Sequence, residues 1–138
     1  MSTTARAAGA AAILFSLAVL SGCVAGPATA GGESGPDAFR ERAELPSCGS
    51  VILGQGEEIP ADAAACLADA GADGAELALT RPTVEGDPVT EYYRVLPSGG
   101  WEIYVDMTRD AFGGGWWFNE CPDAASIADL GQCTSTEL

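Results

Sequence analysis

The chain contains no histidine and no lysine. Its six basic residues are all arginine, set against 20 Asp and Glu in 138 residues, and the formal charge is −14. The missing histidine removes the commonest general base and metal ligand. The missing lysine removes Schiff-base chemistry and the phosphate-loop lysine. The scarcity of positive charge excludes a nucleic-acid partner, because phosphate neutralisation needs a dense basic patch. No motif for a cofactor stands in the sequence, so none is expected.

What is present begins with an address. Met1 to Arg6 is polar with one positive charge, and Ala7 to Leu20 is apolar apart from Gly9 and Ser16. A membrane-spanning helix needs roughly 20 apolar residues, whereas a run of about 7–15 suits a signal peptide. Leu20-Ser21-Gly22-Cys23 follows. It resembles the lipobox of bacterial lipoproteins, an aliphatic residue and two small residues before Cys. The resemblance implies a diacylglyceryl group on Cys23 and cleavage before it. The first 22 residues carry one charge, Arg6, so their loss takes −14 to −15. The alternative is an ordinary secretory signal cleaved near Ala28-Thr29-Ala30. Two acyl chains anchor stably where one does not. The expected location is the outer, extracytoplasmic face of the cytoplasmic membrane.

Five cysteines make an odd count: Cys23, Cys48, Cys66, Cys121 and Cys133. Lipidation of Cys23 leaves four, and an oxidising compartment favours disulfides. Short loops close most easily, which favours Cys48–Cys66 and Cys121–Cys133. A four-cysteine zinc site is the alternative, but no two cysteines are closely spaced in the zinc-finger manner. A nucleophilic cysteine has no histidine to activate it.

Three segments are expected. Residues 1–22 form the signal peptide. Residues 23–44 form the lipidated cysteine and a disordered tether, rich in Ala, Gly, Pro, Ser and Thr. Residues 45–138 form one small domain, of a size that disulfides help appreciably.

Within the domain, Ser50 to Leu53 reads as a short strand. Pro60 to Ala70 reads as a helix, with Ala63, Cys66, Leu67 and Ala70 on one face. The period then changes to two. Ala75 to Thr80, Val89 to Leu96, Trp101 to Met107 and Trp116 to Phe118 read as strands. In Trp101 to Met107 the odd positions face inward, and Glu102, Tyr104 and Asp106 face outward. Short links join antiparallel neighbours. The expected fold is α+β, one helix packed on a three- to four-stranded antiparallel meander with two disulfides. Cystatin-like folds share this helix-then-meander arrangement, an analogy that transfers no activity.

Several groups could carry function. Phe112 and the run Gly113-Gly114-Gly115-Trp116-Trp117-Phe118 could present aromatics to a partner, since Trp is a frequent interface anchor. The competing reading puts Trp116 and Phe118 in the core. Arg81, Arg94 and Arg109 could form a cluster that recognises a carboxylate, or simply pair with Glu91, Asp87 or Asp110. Glu102 and Asp106 could do acid and base work. Four strand residues span about 13 Å, though, beyond the roughly 5–9.5 Å that glycosidase carboxylates use. Asp106, Asp110, Asp123 and Asp129 supply oxygen ligands without a calcium-loop spacing.

Several stretches together are similar to short lipoproteins of high-GC Gram-positive (actinobacterial) organisms. They are Cys48-Gly49, Thr80 to Val89, Tyr92-Tyr93-Arg94, and Asp110-Ala111-Phe112-Gly113 before Trp116. That group has no assigned activity to carry over, so the resemblance implies location and a single folded unit. The expected function is a binding or interaction module at the cell envelope. Its partners are the membrane, through Cys23, and an envelope protein or cell-wall component. The alternative is a carboxylate-dependent hydrolase acting on an envelope substrate.

Overall fold

A computed structural model describes residues 34–138. The signal peptide, Cys23 and the first part of the tether lie outside the described residues. The chain order is α1 (Asp37–Arg40), β1 (Ser47–Ile52), α2 (Ala61–Ala68), a 3-10 turn (Gly71–Asp73), then β2 (Ala75–Pro82), β3 (Pro88–Val95), β4 (Trp101–Asp106), β5 (Trp116–Cys121) and β6 (Thr134–Glu137).

The six strands form one sheet in sequence order. β1 and β2 are parallel, joined through α2, and every later pair is antiparallel. This corrects the expected three- to four-stranded antiparallel meander. The sheet is mixed, with two additional edge strands. β1 joins because α2 returns the chain to the starting end, which a parallel pair requires. The Cys48–Cys66 disulfide ties α2 back to β1. β6 is fully exposed and its side chains are all polar, so no hydrophobic alternation announces it. It is held by the Cys121–Cys133 disulfide. Glu120 pairs with Thr134, one step from each cysteine, so the bond sets the register of β6.

Strand pleating sends alternate side chains to opposite faces, and both faces are covered in part. On the first face Ala75, Leu77, Leu79, Tyr93, Trp101, Ile103 and Cys121 form a core with Ala63 and Leu67 of α2. Residues 122–133 close its far edge through Ala124, Ile127 and Leu130.

The second face holds a smaller aromatic core. Phe39, Tyr104 and Trp116 are buried there, with Tyr92 and Phe118 packed against them. The Phe39 ring lies 4.4 Å from Trp116 and 4.6 Å from Tyr92. Tyr104 is therefore not a solvated outward residue. Its cover comes from the segment read as tether, so residues 37–44 belong to the folded unit. Phe39 is 1% exposed, and burying such a ring contributes about 1.5–3 kcal/mol.

Ion pairs fasten the same segment. Arg42 makes two hydrogen bonds to the Glu76 carboxylate, at 2.9 and 2.8 Å. Its guanidinium also sits 3.8 Å over the Phe39 ring. Arg94, 3% exposed, lies between Glu76 and Glu102 and donates to the Ala43 carbonyl. A buried arginine needs such partners, because an unpaired buried charge is severely unfavourable.

Candidate functional site

Among the described residues, nothing covers one corner of the first face. α2 packs on β1 and β2, and residues 122–133 pack at the Trp101 end. Beyond them, an open groove of about 650 Å³ runs between the β4–β5 loop and β6. Its floor is Val105, Trp117 and Asn119, and its walls are Met107, Phe112, Gly113 and Gly114 on one side and Ser135 and Glu137 on the other.

The loop wall is built by its own polar groups. Asp106 accepts hydrogen bonds from the Thr108 amide at 3.0 Å and the Thr108 hydroxyl at 2.7 Å. The Phe112 amide donates to Asp110 at 2.9 Å, and the Met107 amide donates to the Gly115 carbonyl at 3.0 Å. The Ala111 amide reaches across to Asp87 of the β2–β3 turn at 3.0 Å. Such Asx-type bonds are how Asp shapes turns. A Cβ at Gly113 would lie 2.8 Å from the ends of the Met107 and Asp110 side chains, so both would have to shift to admit one. Gly115 turns the chain into β5 with φ +71°, a region that favours glycine. These bonds leave Phe112 81% exposed at the rim.

Register decides what each aromatic does. Trp116 and Phe118 lie on the second face, in the aromatic core, as the core reading of that pair expected. Trp117 lies on the first face, opposite Glu137 of β6 and beside Val105 of β4. Directly opposed residues have Cβ atoms about 4.5–5.5 Å apart, so the indole and the carboxylate share one site. The Ser135 hydroxyl and the Asn119 side-chain oxygen meet beside them.

Of the three candidate arginines, Arg81 and Arg94 are not brought together. Arg81 is on the first face, paired with Glu91 at 2.7 Å and bonded to the Tyr93 hydroxyl at 3.1 Å. Arg94 is on the second face, inside the Glu76 and Glu102 pairs. Both are spent on internal carboxylates, which removes the carboxylate-recognising cluster. Glu102 is likewise held by Arg94, and Asp106 by Thr108. Glu120 stands opposite Glu102, but Arg94 already holds the Glu102 carboxylate. Asp106 and Asp110 lie at the loop, Asp123 and Asp129 in the disulfide loop beyond the other end. Among the described residues no three His, Cys, Asp or Glu group closely enough to hold a metal.

All three tyrosines hold their protons more tightly than an ordinary phenol. Burial is the main cause for each. Next come the charges of Asp106 for Tyr92, Glu91 for Tyr93 and Glu102 for Tyr104. Tyr93 also donates a hydrogen bond to Glu91, which opposes its ionisation further.

Trp117 and Phe112 could be singled out from composition alone. Ser135 and Glu137 could not, because the second wall rests on a strand with no apolar alternation, and Asn119 is set beside Trp117 only by the pleat of β5. Among the described residues no helix is long and apolar enough to cross a membrane. No family model matches the chain, and no curated protein or solved structure matches it.

Proposed function

We propose that this protein is a lipid-anchored binding module of the cell envelope. Cys23 carries the anchor and places the chain on the outer face of the cytoplasmic membrane. The groove at Trp117 is the surface that engages an envelope protein or cell-wall component. The observation that carries this reading is the groove itself: an aromatic floor at Trp117 that, among the described residues, neither α2 nor residues 122–133 cover. Phe112 stands on its rim at 81% exposure, as an interface anchor does. The lipobox at Leu20 to Cys23 and the two disulfides support an exported location.

A photo-crosslinking residue at Phe112 tests the binding surface in intact cells. A matched probe at Ser98, in the exposed turn at the opposite end of the sheet, serves as control. A discrete adduct at Phe112 and none at Ser98 is expected. Identical patterns at the two positions would sink the reading. Cys23→Ser tests the anchor separately: the protein is expected to leave the membrane fraction, and full retention would overturn lipidation there.

A further inference from the structure

We infer that the groove takes a cationic peptide segment, with an amine or guanidinium seated between the Trp117 indole and the Glu137 carboxylate. The inference rests on the groove being the binding surface and adds the chemistry of what binds.

The first argument is local. Trp117 and Glu137 are a directly opposed cross-strand pair on one face. A cation is attracted to an indole face within about 6 Å, and Trp is the strongest of the aromatic acceptors. A cation placed there also reaches the carboxylate of the opposed residue. Glu137 makes no ion pair among the described residues, whose five pairs engage only Asp37, Glu76, Glu91 and Glu102 on the acidic side. The site thus holds one half of a charge pair beside an aromatic surface.

The second argument is the surrounding surface. β1, β2 and β4 finish at the groove end of the sheet, and β3 and β5 begin there. Among the described residues the four exposed large apolar side chains all lie at that end: Ile52, Val84, Phe112 and Leu138. Leu138 is placed there by its amide bond to the Trp116 carbonyl, at 2.9 Å. Six strands spaced about 4.8 Å apart spread such side chains over about 24 Å. Around them stand Glu85, Asp87, Asp106 and Asp110, with Arg109 as the loop's own cation. Arg81, also at this end, is paired to Glu91. An acidic surface carrying separated apolar points fits a basic segment with apolar side chains between its charges.

The third argument is selection between partners. The chain's charge of −14 raises the local concentration of cations and repels anions. An anionic lipid surface is therefore disfavoured, although the chain joins the domain at this same end, with Gly35 against Trp116.

The test uses the mature protein with both disulfides intact. The probe is a terminally blocked peptide alternating Arg with Leu and Phe. Its control replaces each Arg by the neutral isostere citrulline. The Arg peptide is expected to bind at least about tenfold more tightly than the citrulline peptide, and to weaken with salt. Glu137→Gln is expected to reduce binding about tenfold. It lies on an exposed terminal strand, so the fold is retained. Asp73→Asn removes the same charge at the opposite end and is expected to change little. Equal losses for the two variants would reduce the effect to bulk charge and overturn the inference. So would equal affinity for the citrulline peptide, or Trp117-dependent binding of a neutral oligosaccharide or of zwitterionic or anionic vesicles alone. Any of these with a Phe112 adduct still present overturns only the cationic ligand. Loss of the adduct overturns the groove reading beneath it.

Discussion

Trp116 and Trp117 are neighbours in the chain and stand on opposite faces of β5. Trp116 closes the aromatic core under Phe39, while Trp117 floors the open groove opposite Glu137. One pleat thus separates a side chain that holds the fold from one that is free to bind.

Trp116→Ala is expected to cost about 3–5 kcal/mol, the range for deleting a large buried aromatic. Trp117→Ala is expected to cost less than about 2 kcal/mol, because its ring faces the groove and leaves no enclosed cavity. Urea unfolding followed by circular dichroism measures both. Equal losses would contradict the division of roles.

Phe39 makes a comparable prediction for the segment before the domain's first strand. Phe39→Ala is expected to destabilise by about 3–5 kcal/mol, and a chain beginning at Leu45 by more. That truncation also removes the Arg42 pair to Glu76 and the Ala43 carbonyl that Arg94 donates to. A truncated chain as stable as the whole would show that residues 37–44 are only a tether.

The Cys121–Cys133 bond supports one wall of the groove, since β6 supplies Ser135 and Glu137. Replacing both cysteines by Ser is expected to cost about 3 kcal/mol for a loop of this length in the chain-entropy model. Hydrogen exchange is expected to show β6 losing protection while β2 to β4 keep theirs. Unchanged protection of Thr134 to Glu137 would mean that backbone pairing alone holds the strand.

Much of this architecture could be read from residues, and the omissions have physical causes. Trp101 to Asp106 alternates cleanly enough to be a strand, and the short cysteine separations favour the two bonds that form. β6 escapes notice because Thr134-Ser135-Thr136-Glu137 buries nothing: it pairs because a disulfide delivers it to β5. The second core escapes because alternation describes one buried face. Tyr92, Tyr104 and Trp116 occupy the other, and a single phenylalanine outside the expected domain covers them. Within the site, Trp117 and Phe112 stand out by composition, whereas Glu137 gains meaning only through register.

The tyrosines report the covering of both faces. The chain has three, and each is raised above the ordinary phenol value near 10. A raised folded value gives stability that is complete below about pH 10 and falls as pH rises through the folded value. Absorbance titration near 295 nm is expected to show less tyrosinate in the native protein at pH 10 than in the urea-unfolded chain. The urea-unfolded chain should be about half ionised there. A native curve that coincides with the unfolded one would contradict the two covered faces.

The groove is tested most directly by following the three indole N–H signals in a nuclear magnetic resonance titration with the Arg-containing peptide. Trp101 and Trp116 are each 7% exposed and face the two cores. The predicted result is a saturable shift of the Trp117 signal, with the other two unmoved, and a midpoint at about tenfold more peptide in Glu137→Gln. A Trp117 signal that stays fixed at saturating peptide, or shifts shared equally by all three, would contradict the account.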